Sequence, residues 1–255
     1  MYIRQTNSTN TLLRELSAEQ TLAEGYTIYT DYQSLGRGQQ GNSWESEDGK
    51  NLLFSTLFCL RDIPIHRQFL LSEMVPLAIV EVLDRYADGF RIKWPNDIYW
   101  KDLKLGGILI EHFLQGDCLQ RSVVGVGLNV NQTVFVSNAP NPTSLKSILG
   151  KDVDREQLLQ EILDEFKKLR PLLHQEEVLK ERYMQHLYRR EGYYPYVEVA
   201  CSAAPMQIAQ RDVDGSFLAC IADVTDTGCL VLQDERGAMH TYHFKEIRYI
   251  VAKGS

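Results

Sequence analysis

Two short segments of the chain combine the residue types that bind anions. The first is Gly36-Arg37-Gly38-Gln39-Gln40-Gly41-Asn42-Ser43-Trp44, in which glycines alternate with an arginine and several amides. Such glycines allow a mobile loop to bring backbone N–H groups close to a charged ligand. Arg37 adds a guanidinium that can bind a carboxylate or phosphate with two hydrogen bonds. This composition predicts an anion-binding loop.

The second segment places two cations beside an acidic turn. Lys93-Trp94-Pro95-Asn96-Asp97 is followed by Lys104-Leu105-Gly106-Gly107, and both stretches lie between apolar runs. Pro-Asn-Asp favours a turn, and a turn at a strand end presents its flanking side chains to a cleft. Neither segment is needed to build a core. Together they indicate a site that binds a negatively charged ligand.

The flanking elements must position the loop. Segments 26–32 and 51–60 are rich in β-branched and aromatic residues, which predicts two strands joined by the glycine-rich run. Ser8-Thr9-Asn10 precedes leucines at helical spacing, so we expect a helix that begins near Asn7 or Ser8. Apolar residues three and four apart predict a core-facing helix over 68–86, with a kink at Pro76.

The middle of the chain predicts a mixed sheet covered by helices. Short apolar or alternating runs bounded by turn residues occupy 90–94, 107–113 and 122–130. An irregular connection over 131–144 follows, of a length that often carries function. We then expect a helix from Asp154 to about Leu169, with Gln157 as capping-box partner and Pro171 ending it, and another over 176–190.

The pattern changes to short strands separated by turn residues after Tyr193. These strands are expected at 196–201, 206–211, 216–224, 229–233 and 238–244, which suggests a small β-barrel. We place the domain boundary between Arg190 and Tyr193. The prediction is a first domain over 1–190 and a second over 191–255.

Bulk composition excludes several classes of protein. The 255 residues carry a net charge of −7, so a general attraction to nucleic acid or anionic lipid is not expected. The start is not an apolar signal segment, and no run of about 18 apolar residues occurs that would span a membrane. We therefore expect a cytoplasmic protein.

Cysteine and histidine spacing gives no sign of a metal site. The five cysteines are widely spaced without a Cys-x-x-Cys pair, and the six histidines form no His-Glu-x-x-His pattern. We expect reduced thiols and no structural metal.

Six motifs in order resemble those of the biotin protein ligases, the biotin–[acetyl-CoA-carboxylase] ligases. They are Ser8-Thr9-Asn10, Tyr32-Gln33-x-x-Gly36-Arg37-Gly38, Gly41-x-x-Trp44, Lys93-Trp94-Pro95-Asn96-Asp97, Lys104-Leu105-Gly106-Gly107-Ile108-Leu109-x-Glu111 and Gly125-x-Gly127-x-Asn129. One such motif alone is unspecific, but six in order over nearly the whole chain are specific. The resemblance implies an α+β fold, with a class II synthetase-like catalytic domain of mixed sheet and packed helices and an SH3-like C-terminal β-barrel.

The resemblance also implies a reaction. Biotin and ATP would condense to biotinyl-5′-AMP, supported by Mg²⁺, and the biotinyl group would pass to a lysine of a biotin carboxyl carrier protein or domain. Because two anions must meet, cationic residues are expected to offset their charge. No nucleic-acid or membrane partner is expected, and the chain would be a monomer or homodimer.

The roles that follow from the resemblance fall into three groups. Lys104, Arg37 and Asp97 would be catalytic. Biotin would be bound by Ser8, Thr9, Asn10, Gln33, Gly36, Arg37, Lys104 and Gly107. ATP or the adenylate would be bound by Gly38, Gln39, Trp44, Lys93, Asn96 and Asn129.

One position departs from the family pattern. Many members have a second arginine where this chain has Gln39, so a cation beside the adenylate is missing. Lys93 or a residue of the C-terminal barrel would have to compensate.

Two other functions stay open. A lipoate or octanoate ligase or transferase of related fold is one alternative, although the Arg-Arg-x-x-Gly-Gly-Gly pattern is not found. A non-catalytic biotin sensor or regulator is the other. It would need a DNA-binding element, and Ser8 lies so near the start that we expect no N-terminal DNA-binding domain.

Overall fold

A seven-stranded mixed sheet forms the larger part of the protein. The structure is a computed structural model, and it describes residues 1–39, 42–116, 118–136, 141–199 and 215–251. The strand order is β1-β2-β3-β7-β6-β5-β4. β1 runs parallel to β2, and every other neighbouring pair is antiparallel. The strands are β1 (Tyr2–Thr6), β2 (Thr27–Gln33), β3 (Leu52–Cys59), β4 (Phe90–Lys93), β5 (Asp97–Trp100), β6 (Leu103–Gln115) and β7 (Cys118–Leu128).

Helices cover both faces of this sheet. The helices are α1 (Thr9–Glu19), α2 (Phe69–Leu83), α3 (Leu145–Leu149), α4 (Arg155–Leu169) and α5 (Glu176–Gln185). In β3, Leu57 packs with Leu13 of α1, whereas Phe58 packs with the cluster that includes Phe166 of α4. Because successive strand residues point to opposite faces, α1 covers one face and α4 the other.

The predicted start of α1 is confirmed by its cap. Ser8 has an extended backbone, and its side-chain oxygen accepts a hydrogen bond from the N–H of Thr11. An N-cap side chain of this kind satisfies a backbone donor that the first helical turn leaves free. The cap directs the first turn of α1, with Thr9 and Asn10, towards the middle of the sheet.

The C-terminal part forms an antiparallel sheet of order β11-β10-β9-β8-β12, which fits the expected SH3-like unit. Its strands are β8 (Tyr194–Glu198), β9 (Ser216–Val224), β10 (Leu230–Asp234), β11 (Met239–Tyr242) and β12 (Ile247–Tyr249). Within the described ranges the sheet ends in β11 and β12 rather than closing into a barrel. The strand expected at 206–211 lies outside the described residues.

The two sheets share one hydrophobic core. Tyr188, after α5, packs against Tyr249 of β12 with ring centroids 6.1 Å apart. Trp94, after β4, donates a hydrogen bond from Nε1 to Gly228 O at 3.0 Å. Tyr196 of β8 is fully buried in the same cluster, whereas Tyr193 is exposed.

Three strands were not predicted. β1 is mostly polar and exposed and forms an edge of the sheet, so it lacks the alternating pattern of a half-buried strand. β5 and β12 have only four and three residues, which is too short for a period to be read. β6 is longer than 107–113 because it also includes the lysine and glycines of the second motif.

The helical predictions need two corrections. The amide N–H of Gln157 donates to Asp154 Oδ1, but the Gln157 side chain bonds Glu161, so the capping box has only one of its two bonds. The helix expected over 176–190 ends at Gln185, because the chain turns there so that the N–H of Tyr188 bonds Ile92 O. Pro171 does end α4 as predicted, and a 3₁₀ helix follows it (Arg170–His174). Among the described helices, none is long and apolar enough to cross a membrane.

Candidate active site

A cavity of about 640 Å³ opens over the middle of the larger sheet. Its walls come from the start of α1, the glycine-rich loop, β4 to β7 and the C-terminal sheet. Of the residues predicted from the sequence, it gathers Ser8, Thr9, Asn10, Gln33, Arg37, Gly38, Gln39, Trp44, Lys93, Asn96, Asp97, Lys104 and Gly107. Residues far apart in sequence therefore meet at one place.

Two predicted residues lie elsewhere. Gly36 lines an adjoining cavity on the other side of the loop. Asn129 is buried, and its side-chain amide donates to Thr143 O at 3.0 Å while its backbone N–H donates to Leu105 O at 2.9 Å. These bonds hold the segment after residue 140 against β6. The nucleotide contact of Asn129 stays a prediction, and both its side-chain amide and its backbone N–H donate to backbone carbonyls.

One wall of the cavity is a buried polar network. Gln33 Oε1 accepts hydrogen bonds from Thr9 N at 2.8 Å and from Thr9 Oγ1 at 3.1 Å. Ser55 of β3 donates to Asn10 Oδ1 at 2.6 Å and lies 2.7 Å from Thr9 Oγ1. Since buried polar groups lower stability unless they are paired, this network fixes the orientation of both amides. No described residue accepts a hydrogen bond from Gln33 Nε2, and Gln33 lines the cavity.

Glycines form the floor beneath Trp44. A Cβ atom at Gly127 of β7 would lie 2.6 Å from Trp44 Cε2, and one at Gly107 of β6 would lie 3.4 Å from Trp44 Cζ3. The indole therefore rests directly on the sheet because these positions carry no side chain. Trp44 Nε1 is buried without a hydrogen-bond partner among the described residues. The missing side chain of Gly125 likewise makes room for Asn10, because a Cβ atom at Gly125 would lie 2.1 Å from Asn10 Oδ1.

Both of the predicted catalytic cations are paired with carboxylates. Lys104 Nζ lies 2.7 Å from Asp97 Oδ1, and both side chains are about one-fifth exposed (22% and 17%). Arg37 Nη2 lies 2.9 Å from Glu111 Oε2 and 3.1 Å from Glu111 Oε1. Asp97 lines the cavity beside Lys104, whereas Glu111 pairs with Arg37 from an adjoining cavity. Each of the two cations therefore has a carboxylate partner, so neither presents an unpaired positive charge before an anion binds.

Lys93 is the third cation, and it lies between aromatic rings. Its Nζ is 5.3 Å from the ring centroid of Tyr99 in β5 and 4.7 Å from that of Tyr249 in β12. Burial lowers the pKa of Lys93, while Asp97 opposes that effect. Contact with Tyr249 shows that the C-terminal sheet completes this side of the cavity.

The C-terminal sheet brings further groups to the same wall. Phe244, Lys245 and Arg248 line the cavity together with Gln39 of the loop. Lys245 and Arg248 thus bring two further cations to the lining that contains Gln39. Among the described residues, no group of three or more His, Cys, Asp or Glu side chains is placed to hold a metal ion.

Four contributions to the site were not predicted as functional. Ser55 is a hydroxyl residue inside the apolar run of β3, which is the signal that could have identified it. Glu111 and the Gly125–Gly127 pair belong to the sequence motifs but had received no role. Tyr249 gave no signal, because its place depends on how the second sheet packs against the first.

Comparison with known proteins agrees with this geometry. The profile of the family "Biotin/lipoate A/B protein ligase family" matches residues 2–129. The bifunctional ligase/repressor BirA of Bacillus subtilis is 29% identical over 246 residues, which cover 92% of this chain and 70% of that relative. The biotin–[acetyl-CoA-carboxylase] ligase of Mycobacterium tuberculosis is 32% identical over 171 residues, covering 64% and 60% of the two chains.

A solved structure shares the fold over nearly its whole length. The biotin protein ligase from Aquifex aeolicus, in complex with biotin and ATP, superimposes with a TM-score of 0.75 at 24% identity and covers 98% of each chain. The family profile spans about half of the chain, from β1 to just past the end of β7, and it includes every site residue predicted from the sequence. The chain therefore belongs to the biotin/lipoate A/B protein ligase family.

Proposed function

We propose that the protein is a biotin protein ligase that forms biotinyl-5′-AMP from biotin and ATP and then transfers the biotinyl group to a lysine of a biotin carboxyl carrier domain. The observation that carries the proposal is the convergence of two carboxylate-paired cations, Arg37 and Lys104, on a cavity whose other wall is a buried amide and hydroxyl network. The curated relatives and the Aquifex structure support it, because they are biotin ligases.

The polar network suits the uncharged end of biotin. A ureido ring has two N–H donors and one strong acceptor, and burying it requires partners for each. Thr9, Asn10 and Gln33 present such groups at the closed end of the cavity, and Ser8 adds a hydroxyl. Gly107 and Gly127 let the Trp44 indole lie on the sheet, where it would pack against the tetrahydrothiophene ring and aliphatic chain.

The cations suit the reacting end. The biotin carboxylate must attack the α-phosphate, so two negative groups have to approach each other. Lys104 and Arg37 offset that repulsion, and Lys104 would stabilise charge on the acyl-phosphate oxygens. Mg²⁺ would enter as the counter-ion of the triphosphate, with phosphate oxygens and water as most of its ligands. Catalysis would rest on positioning and electrostatics rather than on a covalent enzyme intermediate.

The second step requires an incoming lysine as nucleophile. Asp97 lies beside Lys104 at the mouth formed by β5 and β6, where its carboxylate can orient the amine or accept its proton. We propose residues 1–190 as the catalytic part and 191–255 as a part that completes the nucleotide side and helps to receive the carrier. We also propose a cytoplasmic location and a monomer or homodimer.

Biotin-dependent ATP–pyrophosphate exchange tests the proposal. Purified protein with MgATP should exchange pyrophosphate in the presence of biotin and should not do so with lipoate or octanoate. A second assay with a carrier domain should show ATP-dependent mass gain on one lysine. Exchange with lipoate or octanoate alone would instead assign the other branch of the family, and biotin binding without exchange would indicate a sensor.

A further inference from the structure

Glu111 of β6 binds two ligand-facing residues at once. Its Oε2 accepts a hydrogen bond from Asn10 Nδ2 at 2.9 Å, and both of its oxygens accept from Arg37 Nη2. Glu111 lines the adjoining cavity rather than the larger one. It therefore faces Arg37 from behind, on the side away from the space for substrate.

The carboxylate of Glu111 is held by the core of the protein. Asn10 is 3% exposed, and its Oδ1 accepts from Ser55, which is fully buried in β3. Asn10 Nδ2 also donates a hydrogen bond to Leu109 O at 3.3 Å, two residues before Glu111 in the same strand. A chain of hydrogen bonds thus runs from β3 through α1 to the Glu111 carboxylate, and it fixes that carboxylate to rigid elements.

Arg37 is held through one nitrogen only. Both bonds to Glu111 use Nη2, and within the described part of the chain Nε and Nη1 have no hydrogen-bond partner. A guanidinium carries five N–H donors in one plane, so binding at Nη2 leaves the N–H groups of Nε and Nη1 as donors for an oxyanion. Arg37 also lines the larger cavity. The loop that carries it is rich in glycine, so the backbone alone does little to fix its side chain.

We propose that Glu111 is the positioning residue for Arg37: it holds the guanidinium from behind so that Nε and Nη1 face the carboxylate or α-phosphate during adenylate formation. This inference rests on the proposed function of the same site. It predicts that Glu111 acts on the reaction through Arg37 and has no contact with substrate. A purely structural Glu111 would instead act on the stability of α1 and β6, whatever residue stands at position 37.

A double-mutant cycle in biotin-dependent pyrophosphate exchange separates these two roles. The variants are Glu111→Gln, Arg37→Ala and the pair together. Glu111→Gln keeps the side-chain volume but removes the charge, and losing a charge-assisted hydrogen bond should lower kcat/KM for biotin roughly ten- to a hundredfold. In the Arg37→Ala background the same change should cost less than about twofold, since its target is gone.

Two further variants control the experiment. Glu24→Gln removes a carboxylate from an exposed pair with Arg170, 2.7 Å apart, away from the cavity, and should leave exchange unchanged. Glu111→Asp keeps the charge but shortens the side chain by one methylene, so its kcat/KM for biotin should lie between those of wild type and Glu111→Gln. If Glu111→Gln does not fold, Glu111→Asp takes its place in the cycle.

The outcomes are distinct. Wild-type protein without exchange would remove the proposed function, and the inference with it. If wild type shows exchange and Glu111→Gln has the same activity, the inference is overturned but the proposed function stands. An equal loss of activity from Glu111→Gln in the wild-type and Arg37→Ala backgrounds would also overturn the inference. A gain of activity in Glu111→Gln would overturn it too, because it would mean that Glu111 competes with the anion for Arg37.

Discussion

Lys104 and Asp97 face each other across the β5–β6 hairpin, with Nζ and Oδ1 2.7 Å apart. The pairing register of these two strands shifts between Ile98 and Tyr99, so that Asp97 is opposite Gly107 and Tyr99 is opposite Lys104. Because side chains alternate between the two faces of a strand, this shift places Lys104 on the same face as Asp97. The irregularity thus brings the cation and the carboxylate to one point.

Replacing Lys104 with alanine should impair adenylate formation much more than folding. Loss of one preorganised charged contact in a transition state costs roughly 10²–10³ in rate, whereas a partly exposed ion pair contributes little to stability. Single-turnover formation of biotinyl-5′-AMP, together with thermal unfolding, measures both effects. Lys146→Ala is the matched control, since Lys146 pairs with Asp152 away from the cavity. An unchanged rate in folded Lys104→Ala protein would refute the role.

Adding a methyl group at Gly127 should displace Trp44. The new Cβ would lie 2.6–3.0 Å from three atoms of the indole, which is closer than van der Waals contact allows. Overpacking of this kind typically costs about 1–3 kcal/mol. We expect Gly127→Ala to weaken binding of biotinyl-5′-AMP, as measured by calorimetry, and to shift tryptophan fluorescence.

Trp44→Ala provides the control for that contact. In this background Gly127→Ala should have almost no further effect on binding, because the clashing ring is absent. An undiminished effect of Gly127→Ala there would mean that the methyl group obstructs the ligand itself.

Glu73 should make stability depend on pH. It is buried within α2, and burial raises its pKa to about 8, with Asp226, Asp223 and Glu176 adding to the effect and Lys180 opposing it. Because the pKa in the folded state lies above that in the unfolded state, the stabilisation is complete at acidic pH and is lost as pH rises through about 8. Wild-type protein should lose on the order of 2 kcal/mol between pH 6 and pH 9 from this group.

Glu73→Gln should remove that pH dependence. The free energy of unfolding in urea, measured at pH 6 and pH 9, should be higher for Glu73→Gln relative to wild type at pH 9 than at pH 6. Glu177→Gln, at an exposed position of α5, is the control and should behave as wild type does. Parallel pH profiles for wild type and Glu73→Gln would contradict the prediction.

The loop from Leu35 to Trp44 should become protected from hydrogen exchange when ligand binds. Few backbone hydrogen bonds hold it in the described part, among them Gly38 N to Asn42 O and Trp44 N to Gly36 O, and glycines permit more than one conformation. Biotin or biotinyl-5′-AMP should favour one of these through its negative charge. The turn between β10 and β11 serves as an internal reference that should not change. Equal exchange of the loop with and without ligand would count against closure.

Gln39→Arg should slow the release of biotinyl-5′-AMP by up to about tenfold, because charge-assisted hydrogen bonds hold phosphate more strongly than neutral ones. Gln39 lines the cavity, so an arginine there could reach the adenylate. The off-rate is measured after chase with unlabelled intermediate. Equal or faster release would mean that Lys245 or Arg248 already supplies the charge, and Arg248→Ala would then speed release from the wild-type loop.

Much of the fold could be predicted because its signals are local. The cap at Ser8, the strands at β2, β3 and β9 and the helix α4 follow from residue type and period, and the structure confirms them. The edge strand β1 and the short strands β5 and β12 could not be predicted, because their conformation depends on neighbouring strands rather than on their own sequence.

The site was predictable for a different reason. Its residues stand in motifs whose order is specific, so Arg37, Lys104 and Asp97 were expected to meet, and they do. Their partners were not predictable. The Arg37–Glu111 contact joins the loop to β6 and depends on how the sheet is assembled. The continuous core across both sheets also ties residues 1–190 to the second sheet, because removing Tyr196 and Tyr249 would expose packed aromatic surface.

Lys93 connects the two parts of the protein through its charge. Burial lowers its pKa, and the rings that contact its amine belong to Tyr99 of the larger sheet and Tyr249 of the smaller one. Removing the Tyr249 ring would hydrate the amine and raise its pKa towards the usual value for lysine. The environment of a cation carried by the larger sheet is thus set in part by β12 of the smaller one.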